Sequence, residues 1–475
     1  MVASGWGKHQ SNYWGNQMSK TREILEARAA EDNIEFFMTM FVDMHGRQCA
    51  KLIPVSAMDV VCSGAGFAGF AVGPMGQSPA GPDMIADPDA NSYFKLPWRE
   101  GVAVVMCDIK VEGKPWPYTP RVILGNALKR LAKERDMKLM VGVEAEYHLL
   151  RRDESGKLVV ADSLDNLDVS CYDARGLTRM YDYLTTMSKY MNKLGYENYA
   201  TDHEDSNGQF EQNFKYADAM TTADRLIFFR YMTNIVAHQF GMQATFMPKP
   251  FHELTGNGLH MNTSLWNTSG TKNLFERASS NKSTKDKYGL GLTQLGYHFC
   301  GGVLEHAQTM SAITNPIVNS YKRMGVSAPN SGATWAPAYV AYGGNNRTQM
   351  VRISEGNRLE VRSVDGAANP YLAFTAVLAA GLDGVDRKTD PGKPNIDNLY
   401  ELHPDVVAAK GIKPMPPTLL HAAQNLLGNP LMQKALGHTG KEYYSDYMAK
   451  VKMEEFARWH SKVGEIERDS YLSLF

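Results

Sequence analysis

Acidic residues recur in two short stretches of this sequence. Glu144, Glu146 and His148 alternate along an apolar stretch, so they would share one face of a β-strand. Glu204 and Glu211 flank a Ser-Asn-Gly turn signal, and a turn there would bring the two carboxylates close together. Carboxylates side by side in a half-buried strand repel each other unless a cation lies between them. The pattern indicates a metal site, with a solvent-facing edge strand and an acidic surface hairpin as the alternative.

A third motif spans residues 255–264. Gly256 and Gly258 allow close approach of another backbone, and His260, Asn262 and Ser264 share one face of the strand that follows. A single histidine on a strand is more often a hydrogen-bonded core residue than a metal ligand. The motif by itself therefore leaves both interpretations open.

Basic residues prevail in the stretch 306–354, which contains no Asp or Glu. Its charged side chains include Lys322, Arg323, Arg347 and Arg352. Further along, alternation places Arg358, Glu360 and Arg362 on one face of a strand. Arginine presents a rigid donor fork to phosphate or carboxylate. The alternatives are chance and a cross-paired surface strand.

Taken together, these motifs are more specific than any of them alone. Five acids and one histidine could form two oxygen-rich sites of the kind that Mg²⁺ or Mn²⁺ prefers. The arginines would bind phosphate and a carboxylate substrate. This combination suits phosphoryl transfer from ATP to a carboxylate, in which metals screen anions that repel each other. The sequence has no GxxxxGK[ST] motif, so a Walker-type nucleotide site is not expected.

The composition is that of an ordinary globular protein. Of 475 residues, 43% are apolar and 21% charged, and the net charge of −1 offers no argument for nucleic acid or an anionic membrane. The apolar stretch 371–382 is too short to span a bilayer, and the N-terminus lacks the apolar core of a signal peptide. Five scattered cysteines without CxxC spacing suit a reducing compartment. We expect a soluble cytoplasmic protein.

The elements that must position these residues fall into three segments. Residues 1–30 form an N-terminal extension, loosely held over residues 1–20, with a helix from residue 19. Residues 31–119 form a mostly β unit, with strands at 34–42, 48–53 and 102–110 and an acid-free loop at 64–82. Residues 120–475 form a larger α+β unit.

The larger unit alternates helices and short strands. Periodicity predicts a strand at 138–151 and helices at 121–135, 178–195, 217–241 (capped by Thr222) and 370–382. Further short strands are predicted near 197–213, 243–247, 258–266, 337–342, 349–353 and 358–363. The chain from residue 417 onward is predicted to be helical.

At this point the sequence resembles the glutamine synthetase family over roughly residues 31–475. Six motifs agree in order and approximate spacing: Glu-Ala-Glu at 144–146, the segments 203–211, 256–260 and 315–323, Arg-Leu-Glu-Val-Arg at 358–362, and Ala-Asn-Pro-Tyr-Leu at 368–372. The loop at 64–82 and the segment 334–337 are most similar to the γ-glutamylmethylamide synthetase branch of that family.

The resemblance implies a fold and an assembly. It implies a small β-grasp N-terminal domain and a larger glutamine synthetase-type catalytic domain with a helical C-terminal part. It also implies a homo-oligomer, a double-ring dodecamer, with active sites shared between neighbouring subunits.

The resemblance also assigns ligand roles. It implies one Mg²⁺ (or Mn²⁺) held by Glu146, Glu204 and Glu211, and a second held by Glu144, His260 and Glu360. It implies that Gly256, Arg323 and Arg362 bind glutamate, that Arg347 and Arg352 face the ATP phosphates, and that Asn262 and Ser264 contact the nucleotide. Arg323, Arg347 and Trp335 are the implied catalytic residues.

Two positions depart from the pattern of glutamine synthetases. Members of the family carry an acid at the positions that match Ala68 and Trp335, and those acids bind ammonium. Replacement by a small residue and an aromatic residue favours a larger amine, with methylamine preferred. The implied reaction joins an amine to the γ-carboxylate of glutamate through γ-glutamyl phosphate.

Three other functions are weighed against this one. They are an ordinary ammonia-using glutamine synthetase, a phosphotransferase that stops at the acyl phosphate, and a non-catalytic relative. The last is disfavoured because all six ligand positions are intact. Tyr400 matches a position that some family members modify with AMP, and a structural role is favoured for it here.

Overall fold

A computed structural model describes residues 20–277, 286–324, 331 and 333–474. The loosely held extension predicted at residues 1–20 lies outside the described residues except for its last one. Helix α1 occupies residues 20–32, close to its predicted bounds.

The first sheet has six strands and is built from residues before 116. Its order is β2 (Gln48–Pro54), β1 (Phe36–Val42), β5 (Val102–Val111), β4 (Met84–Lys95) and β3 (Ala65–Phe67), with β6 (Lys114–Pro115) paired to β5. The strand β4 is absent from the sequence prediction because Pro88 and its polar neighbours interrupt the apolar pattern. The register indeed shifts between Pro88 and Tyr93. The segment 64–82, predicted as a loop, contains β3 and a single 3₁₀ turn at Gly69–Val72.

The second sheet has ten strands and carries the acidic motifs. Its main path is β15 (Tyr342–Gly343), β16 (Val351–Arg352), β17 (Leu359–Val361), β13 (Leu259–Asn267), β7 (Met137–Arg152), β10 (Gln209–Phe214) and β9 (Asn198–His203). Strands β8 (Leu158–Val160), β11 (Ala217–Asp218) and β12 (Gln243–Thr245) also pair with β7. A separate ribbon joins β14 (Tyr339–Val340) to β18 (Lys413–Pro414).

Helices flank both sheets. They are α2 (Met58–Ser63), α3 (Pro120–Arg135), α4 (Ala174–Arg179), α5 (Tyr181–Lys193), α6 (Ala219–Gln239), α7 (Gln294–Glu305), α8 (Ala307–Thr314), α9 (Ser320–Arg323), α10 (Pro370–Arg387), α11 (Pro404–Ala409), α12 (Leu419–Leu426), α13 (Pro430–Leu436), α14 (Tyr444–His460) and α15 (Glu465–Tyr471). None of the described helices is long and apolar enough to cross a membrane.

Two helix predictions need correction. The stretch 178–195 is two helices that meet at Met180 rather than one. The cap of α6 is Asp218, whose carboxylate accepts the N–H of Thr221. Thr222 instead donates its hydroxyl to the carbonyl of Val141, because it lies inside the first turn of the helix and faces β7.

Strand β7 separates the core from the polar face. Its odd-numbered residues, among them Val143, Ala145 and Tyr147, belong to the main hydrophobic core that α6 and α10 help to build. Its even-numbered residues Glu144 and Glu146 project from the other face, as the period of two requires. Burial of the apolar face therefore determines which way the two carboxylates point.

A buried arginine joins the first sheet to helices of the larger unit. The Arg121 guanidinium, 4% exposed, lies 2.8 Å from Asp89 and 2.9 Å from Asp108 of the first sheet, and 2.9 Å from Asp224 of α6. Asp224 also accepts hydrogen bonds from Ser92 and Tyr371, each at 2.6 Å. These contacts link the first sheet to helices α3, α6 and α10.

We expect Arg121→Leu to lower the free energy of unfolding by about 3–5 kcal/mol, because Asp224 would remain buried without its cationic partner. Urea unfolding of the variant and the wild type measures the loss. Arg135→Leu is the matched control, since the Arg135–Asp386 pair is partly exposed and such pairs contribute about 0–1 kcal/mol. Equal losses in both variants would contradict this role for Arg121.

Candidate active site

Cross-strand pairing at the centre of the second sheet places the predicted ligands side by side. The register aligns His260 with Glu144, Glu211 with Glu146, and Asn262 with Glu360. These residues lie on four neighbouring strands, so their side chains form one continuous polar surface.

His260 lies between three of the carboxylates. Its Nδ1 atom is 3.2 Å from Glu144 Oε2 and 3.8 Å from Glu360 Oε1, and its Nε2 atom is 3.6 Å from Glu146 Oε1. The Nε2 atom is buried and has no hydrogen-bond partner within the described parts of the chain. Glu144, Glu211 and His260 each offer a ligand atom, and these atoms lie within 4.8 Å of one another. A buried, unpartnered imidazole nitrogen among carboxylates fits a divalent cation.

The negative charges of this cluster are neutralised unevenly: Glu144 has basic and hydrogen-bonding partners, whereas Glu204 and Glu211 lie mainly among other acids. Burial and the neighbouring Glu146 and Asp202 raise the pKa of Glu204 to about 8. Burial and the carboxylates of Glu204, Glu144 and Glu146 raise the pKa of Glu211 well above its usual range. Burial acts on Glu144 in the same direction, but His260 and its other partners overcome it and lower that pKa to about 2. A cation beside Glu204 and Glu211 would relieve this repulsion, so the donor set fits the metal that the sequence implies.

Gln209 and Gly258 hold Glu146 in place. The Gln209 amide donates to Glu146 Oε2 at 3.0 Å and to the Gly256 carbonyl at 3.1 Å. The backbone N–H of Gly258 donates to Glu146 Oε2 at 2.6 Å. A Cβ atom at Gly258 would lie 2.7 Å from Arg323 Nη2 and 3.0 Å from His260 Nε2. Gln209 was not assigned a role from the sequence, although its place between Glu204 and Glu211 is the signal that could have indicated one.

The turn between Glu204 and Glu211 is held by a buried acid that sequence reasoning missed. Asp165 Oδ2 lies 2.7 Å from His203 Nε2 and accepts the backbone N–H of Gly208 at 2.6 Å. It thereby sets the spacing of the two glutamates, which flank the turn. No local motif marks this residue, because its partners lie about forty positions away along the chain.

His148 lies on the predicted face but is enclosed. Its ring nitrogens are 2.8 Å from Asn257 Oδ1 and 2.8 Å from Ser206 Oγ, and the side chain is fully buried. Both nitrogens have partners, so His148 supports the neighbouring loops and, unlike His260, offers no unpartnered nitrogen to a metal ion.

Two buried arginines lie beside the carboxylates. Arg323 donates from Nη1 and Nη2 to the carbonyls of Ser363 and Arg362 at 3.3 and 3.4 Å, while its buried Nε has no partner among the described residues. Arg362 contacts Glu360 through Nη1 and donates to the carbonyls of Arg347 and Trp335 at 3.2 and 3.4 Å. Each Nη nitrogen of the two guanidiniums makes one such contact and keeps a further N–H for a ligand.

The other basic residues differ in exposure. Arg352 lies 2.6 Å from Glu360 Oε2 and also donates to Asn345. Arg347 is exposed, and its side chain makes no hydrogen bond to the residues that the structure describes, although its carbonyl accepts from Arg362 and from Tyr400. Arg347 is therefore available to a ligand, whereas Arg352 already neutralises an acid.

A cavity of about 460 Å³ opens beside Glu144. Asn262 and Ser264 line it together with the aromatic residues Tyr199, Phe214, Tyr216 and Trp266. Asn262 donates to Glu144 at 2.9 Å and accepts from Arg358 at 3.0 Å, and Ser264 accepts from Trp266 at 3.0 Å. Apolar walls with a few polar groups suit a small organic ligand.

The two positions that depart from the family pattern differ in their contacts with the described residues of the site: Trp335 contacts them, and Ala68 does not. Trp335 is half-buried, has a positive φ of 51°, and joins the site through its carbonyl. Ala68 is exposed, and the adjacent Phe67 packs on Phe41 of the first sheet. No hydrogen bond or ion pair links Ala68 to the carboxylates in the described ranges.

The chain is similar to known proteins over nearly its whole length. A family model described as glutamine synthetase, catalytic domain, matches residues 117–471. The chain is 42% identical over 447 residues to a glutamate–methylamine ligase of Methyloversatilis universalis, covering 94% of this chain and 98% of that protein. It is 40% identical over 452 residues to a glutamine synthetase of Rhizobium leguminosarum bv. phaseoli, covering 95% and 99%. A solved GmaS/ADP complex is similar in structure, with a TM-score of 0.85, 42% identity, and coverage of 94% and 98%.

We expect Glu146→Ala to weaken Mn²⁺ binding at least about tenfold, since even an outer-shell partner of a metal contributes that much. Calorimetric titration of the purified chain with Mn²⁺ measures the change. Glu154→Ala removes an exposed carboxylate outside the cluster and serves as the control. Unchanged Mn²⁺ affinity in Glu146→Ala would remove this residue from the metal site.

Proposed function

Because the chain belongs to the glutamine synthetase family, we propose that it is an ATP-dependent glutamate–amine ligase that prefers methylamine. It joins methylamine to the γ-carboxylate of L-glutamate and gives N-methylglutamine, ADP and phosphate. The observation that carries the reaction is the convergence of five carboxylates, His260 and two buried arginines, with a cavity that opens beside Glu144. The similarity to a glutamate–methylamine ligase supports the choice of amine.

The metal ligands are proposed as two sets. Glu146, Glu204 and Glu211 hold one Mg²⁺ or Mn²⁺, and Glu144, His260 and Glu360 hold the other. Their support is the unpartnered Nε2 atom of His260 and the raised pKa of Glu204 and Glu211. Divalent cations there screen the charge between the ATP phosphates and the attacking carboxylate.

Substrate roles are proposed from the hydrogen-bonding groups that each side chain leaves unused. Arg323, Arg362 and the Gly256 backbone bind glutamate, supported by the spare N–H groups of the two arginines. Asn262 and Ser264 contact the nucleotide in the cavity, and Arg347 and Arg352 face its phosphates. Of these, the unpaired side chain of Arg347 is the strongest candidate for a phosphate contact.

The chemistry proceeds in two steps. The γ-carboxylate of glutamate attacks the terminal phosphorus of ATP, the bond to ADP breaks, and γ-glutamyl phosphate forms. The amine nitrogen then attacks the acyl carbon, phosphate leaves with the bonding electron pair, and the amine loses a proton. A carboxylate needs this activation because an oxide is a poor leaving group.

Arg323 and Arg347 stabilise the charge on the transferred phosphoryl group. Trp335 covers the amine side of the site and excludes water, which would hydrolyse the intermediate.

We further propose the domain division and the assembly implied by the family. The segments are 1–30, 31–119 as a β-grasp domain, and 120–475 as the catalytic domain, which the two separate sheets support. The oligomer is a double-ring dodecamer with shared active sites. The exposure of Ala68 supports sharing, since an amine site that includes this residue needs a neighbouring subunit to supply it.

Arg362→Lys keeps the charge but loses the planar donor fork, so the Michaelis constant for glutamate should rise about tenfold, with a smaller effect on ATP. Steady-state phosphate release at saturating ATP and amine measures it. Arg175→Lys is the control, because Arg175 is a mostly exposed surface residue. An unchanged Michaelis constant for glutamate would show that Arg362 does not bind this substrate.

The amine preference is tested by comparing phosphate release with methylamine, ethylamine and ammonia. An aromatic face attracts an alkylammonium by about 0.5–2 kcal/mol, and a buried methyl group adds roughly 0.8 kcal/mol. The catalytic efficiency for methylamine should therefore exceed that for ammonia about tenfold. Trp335→Glu should shift the ratio toward ammonia, because an added carboxylate suits an ion with four N–H donors.

Trp335→Phe is the matched variant, since it keeps an aromatic face and should keep the methylamine preference. A wild-type ratio below one would reject the methylamine specificity in favour of an ammonia-using glutamine synthetase. Phosphate release without any amine would indicate a phosphotransferase that stops at the acyl phosphate. An unchanged ratio in Trp335→Glu would remove Trp335 from the amine site.

A further inference from the structure

Asp205 is a buried acid that none of the roles above uses. It follows the proposed metal ligand Glu204 in the chain, and its side chain is 6% exposed. One carboxylate oxygen, Oδ2, accepts hydrogen bonds from the hydroxyls of Thr255 and Ser331. The other oxygen, Oδ1, receives no hydrogen bond from any residue that the structure describes. Asp205 also makes no ion pair with a described Lys or Arg, so its charge is available to a ligand.

The partners of Asp205 connect it to the proposed glutamate site and to the segment that contains Trp335. Thr255 directly precedes Gly256, whose backbone is assigned to glutamate. Ser331 lies four residues before Trp335, in the segment that is proposed to cover the amine. On the opposite side, Arg362 donates to the Trp335 carbonyl, and Arg323 donates to the Arg362 carbonyl. A Cβ atom at Gly256 would in turn lie 3.1 Å from the Arg323 side chain. Asp205, Gly256, the two arginines and Trp335 are therefore neighbours in one continuous set of contacts.

The chemistry of the substrate matches one carboxylate better than two. Near neutral pH methylamine is almost entirely a cation, with three N–H donors and one methyl group. Ammonium has four donors and is best matched by two acids. A single buried carboxylate together with an aromatic face satisfies both ends of methylammonium, because the acid accepts N–H donors and the ring accommodates the methyl group.

We propose that Asp205 is the anionic group that binds the alkylammonium substrate, and so determines specificity together with Trp335. The proposal rests on the proposed function. The carboxylate acts by attracting and orienting the cation, and the two hydroxyl donors keep Oδ2 fixed so that Oδ1 is presented to the amine.

The test compares a charged with an uncharged nucleophile. Asp205→Asn keeps the shape of the side chain and removes its charge. Methylamine is cationic near neutral pH, whereas hydroxylamine is mostly neutral there and also accepts an activated acyl group. The Michaelis constant for methylamine should rise at least about tenfold, equivalent to about 1.4 kcal/mol. The Michaelis constants for hydroxylamine, glutamate and ATP should change by less than about twofold at saturating Mg²⁺. A change of that size is clearly smaller than the tenfold rise expected for methylamine.

Two further variants keep the test decisive. Asp168→Asn makes the same charge change at an exposed residue two positions from Ser170, which donates to the Asp205 carbonyl, and should leave all constants unchanged. Asp205→Ser is a second neutral variant in case the asparagine amide disturbs the neighbouring hydroxyls. It should give the same selective effect on methylamine, with thermal unfolding to show that the chain is folded.

The outcomes separate this proposal from the proposed function. A wild-type chain that releases no phosphate with any amine would overturn the proposed function itself. If the wild type is active and both neutral variants leave the methylamine constant unchanged, the Asp205 proposal is wrong. Equal losses for methylamine and hydroxylamine would also overturn it, because they would show that Asp205 only holds the loops in position.

Discussion

Repulsion between buried carboxylates is the constraint on which the rest of this structure depends. Glu144, Glu146 and Glu211 converge on one face of a sheet with little access to water, and they cannot all remain ionised there without positive charge nearby. The protein supplies part of this charge through Arg352 and Arg362, which both contact Glu360. The remainder is supplied either by protons, as the raised pKa of Glu204 and Glu211 indicates, or by the cations proposed above.

The site has two sides, which differ in how far nearby basic residues neutralise the carboxylates. On the side of Glu144 and Glu360, His260 and the arginines already neutralise much of the negative charge. The cavity with its aromatic walls opens on this side, next to Glu144. On the side of Glu204 and Glu211 no described cation is paired with the acids, and the pKa of each is raised. The repulsion on this second side costs folding free energy, which the surrounding contacts must offset, and the proposed cations would relieve it.

That scaffold is rigid because it is built from buried contacts. The apolar face of β7 packs in the main core, so Glu144 and Glu146 cannot turn away from each other. Asp165 fixes the turn that separates Glu204 from Glu211, and Gln209 and Gly258 fix Glu146. Arg121 joins the first sheet to the helices behind this arrangement. Each of these residues stabilises a geometry that would otherwise relax to reduce the repulsion.

The sequence by itself determined the face on which Glu144, Glu146, His260 and Glu360 lie, because the period of a strand follows from backbone geometry alone. It also indicated most helices and strands and the family, since long periodic segments and ordered motifs are local properties. The tertiary structure decided which residues these side chains contact. His148 and His260 look equally suitable on a strand, yet long-range contacts enclose the first with Asn257 and Ser206 and leave Nε2 of the second without a partner among the described residues. The roles of Asp165 and Asp205, and the strand around Pro88, likewise depend on residues distant in the chain, whose meeting is set by register and packing and not by local pattern.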